Sequence, residues 1–149
     1  MIEIGIDSGK KGGVAYMENG VITHAHNLYP ISDFIGELHQ IIHDHTRPKV
    51  RVILEEVPPY IGRIIPSSAS FKLGVSYGEC RGICMGALVQ MICIRPQTWQ
   101  KGLSGLQGKK GNERKKILKD HAFQLYPSLK PTLQTCDAIL LLHQSKHII

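Results

Sequence analysis

With 149 residues, 42% of them hydrophobic, the chain has room for one ordinary domain over residues 1–149 with its own core, and no shift in composition divides it. Lys and Arg number 18 against 12 Asp and Glu, a net charge of +6 that suits a polyanionic partner. No apolar run approaches the ~20 residues a membrane span needs, so neither a membrane helix nor a membrane partner is expected.

Residues 1–7 and 13–18 read as strands joined by Gly9, Lys10, Lys11, Gly12 and Gly13. A third strand over residues 20–28 follows Asn19-Gly20, a strong hairpin signal. From Ser32 to about His45, Phe34, Ile35, Leu38, Ile41 and Ile42 form a helical stripe, with Ser32 or Asp33 as its start signal. The largely β-branched run from Val50 to Glu55 predicts a central strand parallel to the first.

The pattern turns helical again from about Ser67 to Val89, where Gly74, Gly78, Gly82 and Gly86 recur every fourth residue. Each glycine costs about 1 kcal/mol against alanine in a helix interior, so this face is expected to admit close approach by the sheet or by a second copy of the chain. Gln90 to Arg95 supplies a short strand, Pro96-Gln97-Thr98 starts a helix, and Gly102 to Asn112 reads as a mobile basic loop. Helices over about Glu113–Leu125 and Asp137–His147 complete an α/β domain with a mixed sheet, opened by an antiparallel hairpin and covered by helices on both faces.

Asp7 and Glu55 each close an apolar run where a buried strand should surface, so their side chains can meet at one end of the sheet. With Asp137 they offer hard oxygen ligands suited to Mg2+ or Mn2+. Two such ions roughly 4 Å apart can stabilise the attacking and leaving oxygens of a phosphodiester displacement. Asp137 also has a plain reading, an acid at a helix N-terminus favoured by the macrodipole. Glu56 should point to the opposite side of its strand and is left out of the ligand set.

Lys101, Lys109, Lys110, Arg114, Lys115 and Lys116 flank and follow the Gly-rich loop, where they can neutralise phosphates. Lys10 and Lys11, just past Asp7, either touch the same substrate or solvate a turn. Trp99 has no aromatic neighbour and reads as a loop anchor. The pairs His39 and His43, His43 and His45, and His143 and His147 have no third ligand placed by spacing, so surface histidines are expected in place of a zinc site. Cys80, Cys84, Cys93 and Cys136 form no C-x-x-C pair and read as reduced thiols of a cytoplasmic protein.

The order of Asp7 with Gly9, then Glu55, then Asp137-Ala138-Ile139-Leu140-Leu141 resembles the RuvC-type Holliday junction resolvases of the RNase H-like superfamily. Ser67-Ser68-Ala69-Ser70-Phe71-Lys72-Leu73-Gly74 and Arg95-Pro96-Gln97-Thr98-Trp99-Gln100-Lys101 are most similar to phage and prophage members. The resemblance implies an RNase H-like fold and a homodimer, with the glycine-lined helix as a candidate contact, that binds a four-way DNA junction. It implies a crossover junction endodeoxyribonuclease making two symmetric nicks with Mg2+, or Mn2+ in its place, in a bacterial, prophage-carrying or phage-infected cell.

By the same resemblance Asp7 bridges both ions, while Glu55 and Asp137 each complete one shell. Phe71 matches a wedge that stacks at the junction centre, with core packing as the alternative, and Lys72 joins the DNA-binding positions. Gln134 stands where the family usually has a fourth ligand, so either one ion keeps more water ligands, a residue such as His143 or Glu113 contributes, or the nuclease is slowed or altered. A branched-DNA-binding module with weak or lost catalysis, and a nuclease acting on flaps or RNA–DNA hybrids, are the competing expectations. An actin-like phosphotransferase also opens with Asp-x-Gly but needs a second lobe that this length does not supply.

Overall fold

The computed structural model describes residues 1–59 and 65–149. Strands β1 (Ile2–Ile6), β2 (Gly13–Glu18) and β3 (Val21–Asn27) run antiparallel in sequence. β4 (Val50–Glu55) pairs parallel to β1, and β5 (Gln90–Ile94) parallel to β4, giving the order β3-β2-β1-β4-β5. Asn19 and Gly20 both take positive φ, as the expected tight hairpin turn between β2 and β3 requires.

Side-chain alternation assigns the two faces of this sheet. Ile2, Ile4 and Ile6, with Val14, Tyr16, Val52 and Leu54, pack beneath α1 (Ile31–His45) and α2 (Ser67–Gly86), meeting Phe34, Leu38, Cys80 and Cys84. Ala15, Met17 and Ile53 face the other way, toward α4 (Gly111–Leu125) and α5 (Cys136–Ser145). Between β5 and α4 the chain forms the short helix α3 (Pro96–Trp99). Helices cover both faces, as expected.

α5 is buried from Cys136 through Leu142, so it behaves as a central element with no solvent face in that stretch. Each fully buried Leu or Ile there contributes about 1.5–3 kcal/mol. Its close seating depends on Gly5, where an added Cβ would lie 2.6 Å from Leu142 Cγ and 2.8 Å from the Ala138 carbonyl. That contact brings the start of α5 to the end of the sheet where β1 and β4 finish.

Several expectations are revised. α1 begins at Ile31 behind Pro30, and neither Ser32 nor Asp33 caps it; instead the Asp33 N–H donates to the Pro30 carbonyl at 3.1 Å. α2 stops at Gly86, short of Val89, because Leu88 adopts φ 56° and turns the chain into β5. The loop after α3 is pinned: Leu106 is buried in the core, and the Arg114 Nη1 donates to its carbonyl at 3.0 Å.

The glycines of α2 do not serve packing on the sheet. Its buried residues are Ser76, Cys80 and Cys84, which run two residues out of step with Gly74, Gly78 and Gly82, about 200° round the helix. Among the described residues nothing lies within 4 Å of a Cβ built on Gly74, Gly78, Gly82 or Gly86. Gly78→Ala is therefore expected to stabilise the single chain by up to about 1 kcal/mol, read by denaturant unfolding at low protein concentration. Cys80, Cys84 and Cys136 are buried, and all four cysteines are free. No described helix is long and apolar enough to cross a membrane.

Candidate active site

The parallel register sets Ile6 against Leu54, so the next residues, Asp7 and Glu55, leave adjacent strand ends side by side. Both follow the alternation to the face that carries α4 and α5. Asp137, in the first turn of α5, stands over the same end and is only 8% exposed. Asp7 is held by its own turn: its N–H donates to the Gly13 carbonyl at 3.0 Å, and the Gly9 N–H donates to Asp7 Oδ1 at 3.3 Å.

A cation already sits among these acids. Lys115 Nζ lies 2.5 Å from Asp137 Oδ2 and 3.5 Å from Asp7 Oδ2. Lys115 shares the buried stripe of α4 with Leu118 and Ala122, at spacings of three and four residues, and this turns it inward. In the structure Lys115 thus makes its contacts inside the carboxylate cluster. Glu55 has a different partner: Trp99, 1% exposed, donates from Nε1 to Glu55 Oε2 at 2.8 Å. Trp99 is the structural anchor expected, and what it anchors is a carboxylate.

Burial, then the negative charge of Asp137, raises the Asp7 pKa above the usual carboxylate value, with Lys115 and the Gly9 N–H opposing the shift. Burial, then Asp7 and Asp137, pushes Glu55 up to about 8 against the opposing Trp99 N–H and Lys115. Burial alone would lower the Lys115 pKa, but the Asp137 and Asp7 carboxylates outweigh it and hold the ammonium above its ordinary value. Three carboxylates crowded against one ammonium are a site short of positive charge.

The donor set fits a hard divalent cation by its chemistry, three carboxylates with no sulfur or imidazole among them. Among the described residues, however, no three His, Cys, Asp or Glu side chains converge closely enough to hold one ion as they stand. Lys115, bridging Asp7 and Asp137, already supplies positive charge there.

An open cavity of about 440 Å³ lies against the strand ends, bordered by Asp7, Glu55, Glu56, Gln97, Gln100 and Arg114. Asp137 does not line it. Glu56, expected on the opposite side of its strand, borders this same space and is paired with Arg95 at 3.3 Å. Arg114 also donates to Gln100 Oε1, so its guanidinium braces the cavity wall. A second cavity of about 220 Å³ is bordered by Phe71, Lys10, Lys72 and Tyr29. Phe71 is 73% exposed, which removes its core-packing alternative.

Lys11, Lys101, Lys110 and Lys116 are exposed, while Lys109 pairs with Glu113 at 2.9 Å. Gln134 precedes α5 and lines neither cavity; its carbonyl packs where a Cβ on Gly13 would come within 2.6 Å. Neither proposed substitute reaches the site: His143 is bonded to the Tyr126 hydroxyl at 2.8 Å, and Glu113 is engaged by Lys109.

Sequence reasoning missed Lys115 and Trp99 as partners of the carboxylates. The first had a readable signal, a lysine in register with Leu118 and Ala122 on an otherwise apolar stripe, which must find an acid once buried. Trp99 had none, because its indole partner lies 44 residues away.

No protein-family model matches the chain, and no curated protein matches it. Its fold is that of Thermus thermophilus RuvC. One solved structure, of T. thermophilus RuvC in complex with Holliday junction substrate, superposes with a TM-score of 0.53 at 16% identity, covering 99% of this chain and 96% of that one. Another, of Thermus thermophilus RuvC, gives 0.52 at 18% identity with the same coverage. The expected RNase H-like α/β fold is therefore present; at this identity the likeness speaks to fold alone.

Proposed function

We propose that this chain is a metal-dependent, structure-selective endodeoxyribonuclease that resolves four-way (Holliday) or related branched DNA junctions by phosphodiester hydrolysis. The observation that carries the reading is the meeting of Asp7, Glu55 and Asp137 at one sheet end, on a RuvC-like fold, beside an open cavity. Asp7, Glu55 and Asp137 would hold Mg2+ or Mn2+, which supplies Lewis acidity and a water of lowered pKa. Trp99 keeps the Glu55 carboxylate aimed, and the Asp7 turn fixes the other acid beside it. Lys10, Lys11, Lys72, Lys101, Lys110 and Lys116, exposed in the structure, would neutralise backbone phosphates without reading sequence. Phe71, uncovered between Lys10 and Lys72, would stack on an unpaired base.

Paired nicks need two sites, and the open glycine face of α2 is the proposed contact between two copies of the chain. Such a dimer would act in a reducing cytoplasm. Synthetic four-way junctions, flaps and RNA–DNA hybrids, incubated with the purified protein and Mg2+ or Mn2+, test the substrate class. Preferential symmetric cutting of the four-way junction is expected, and preference for flaps or hybrids would move the assignment to another RNase H-like nuclease.

A second reading, a junction-binding module with weak catalysis, is favoured by Gln134 and by the absence of a preformed ligand trio among the described residues. Trp99→Phe bears on the choice. Losing the indole donor should reduce cleavage and Mn2+ affinity about 10–100-fold, as removal of a ligand's supporting hydrogen bond typically does. Measured by junction cleavage and metal titration, an unchanged rate would indicate that Glu55 has no catalytic part.

A further inference from the structure

We propose that Lys115 permanently occupies one cation position of the carboxylate cluster, so that the site takes a single divalent ion, on the side of Asp7 and Glu55. The inference rests on the metal-dependent nuclease reading and specifies its stoichiometry.

Three observations combine. Lys115 Nζ contacts both Asp137 and Asp7, at 2.5 and 3.5 Å, and therefore stands where an ion shared by those two acids would have to sit. Its ammonium is not a surface group that drifts away at no cost: it rises from the buried stripe of α4, and only 28% of the side chain is exposed. The open cavity, finally, is bordered by Asp7 and Glu55 but not by Asp137. Access for a hydrated ion thus exists on one side of Asp7, while the other side is filled by Lys115.

Charge leads to the same stoichiometry. When fully ionised, the three carboxylates against one ammonium leave two negative charges, which one divalent ion balances. A second divalent ion would bring the cluster to net positive charge and would have to be placed against Lys115 itself.

The test is a Mn2+ titration of the purified, DNA-free protein, counting bound ions by loss of the free-ion electron paramagnetic resonance signal. Wild type should saturate at one ion per chain. Lys115→Met, which keeps the buried stem and removes the charge, should take up a second, and Lys115→Arg should remain at one. Because Lys115→Met leaves Asp7 and Asp137 unneutralised, its fold is checked by circular dichroism. If that variant does not fold, Lys115→Gln, which also removes the charge, is counted in its place with the same expectation. Two ions bound by wild type, or one ion still bound by folded Lys115→Met, would overturn the inference while leaving the nuclease reading intact. No bound ion in wild type would overturn both.

Discussion

Asp7→Asn is expected to reduce junction cleavage by about 10³-fold or more while leaving junction binding nearly unchanged. The substitution keeps the size of the side chain and an oxygen that can still accept from the Gly9 N–H, so the turn after β1 should survive. It removes the charge at the one acid that both borders the open cavity and contacts Lys115. A neutral amide is a poor ligand for a hard divalent cation, so the loss falls on catalysis. On the function proposed above, DNA affinity is carried by exposed lysines elsewhere. Band-shift and strand-cleavage assays on the same preparation separate the two effects, and full cleavage by Asp7→Asn would remove Asp7 from the chemistry.

Gly12→Ala should be the most damaging small substitution, costing about 3 kcal/mol or more. A Cβ there would stand 2.0 Å from the Asp7 carbonyl oxygen and 2.8 Å from that of Gly9. Both obstacles are backbone, so relief requires the β1–β2 turn to open. That turn also presents Asp7, and cleavage should fall with stability. Gly102→Ala is the control, since its nearest neighbour would be Gln144 Oε1 at an ordinary 3.7 Å. Denaturant unfolding of the two variants should separate them by most of that cost; equal stabilities would contradict the tight-turn account.

Much of this architecture was legible because it follows local rules. The Asn19-Gly20 turn, the period-2 strands and the run Val50–Leu54 fix a mixed sheet, and the residues after β1 and β4 are then bound to emerge together. What was not legible depended on contacts between distant segments. Trp99 reads as an anchor, but only the packing of α3 against β4 identifies Glu55 as its partner. The glycines of α2 announce a close approach without saying to what, and the sheet turns out to take the opposite face. Phe71 at a helix start is equally compatible with a core and with an exposed surface until the register of α2 is known. Lys115 is the instructive case. Its place among basic residues suggests a phosphate contact, whereas its register with Leu118 and Ala122 points inward, and in the structure the register prevails.

Three acids meet at the sheet end, where burial first and then the negative charge of the neighbouring carboxylates raise the pKa values of Asp7 and Glu55, and Lys115 offsets part of the shift. The remaining negative charge beside an open cavity is what makes a divalent cation the natural complement.

The most direct test is cleavage of a synthetic four-way DNA junction, labelled on each strand in turn, by purified protein with and without Mg2+ or Mn2+. Metal-dependent nicks at symmetric positions on two opposing strands are the predicted result. Tight junction binding with every strand intact in both metals would contradict the nuclease assignment and leave a junction-binding protein.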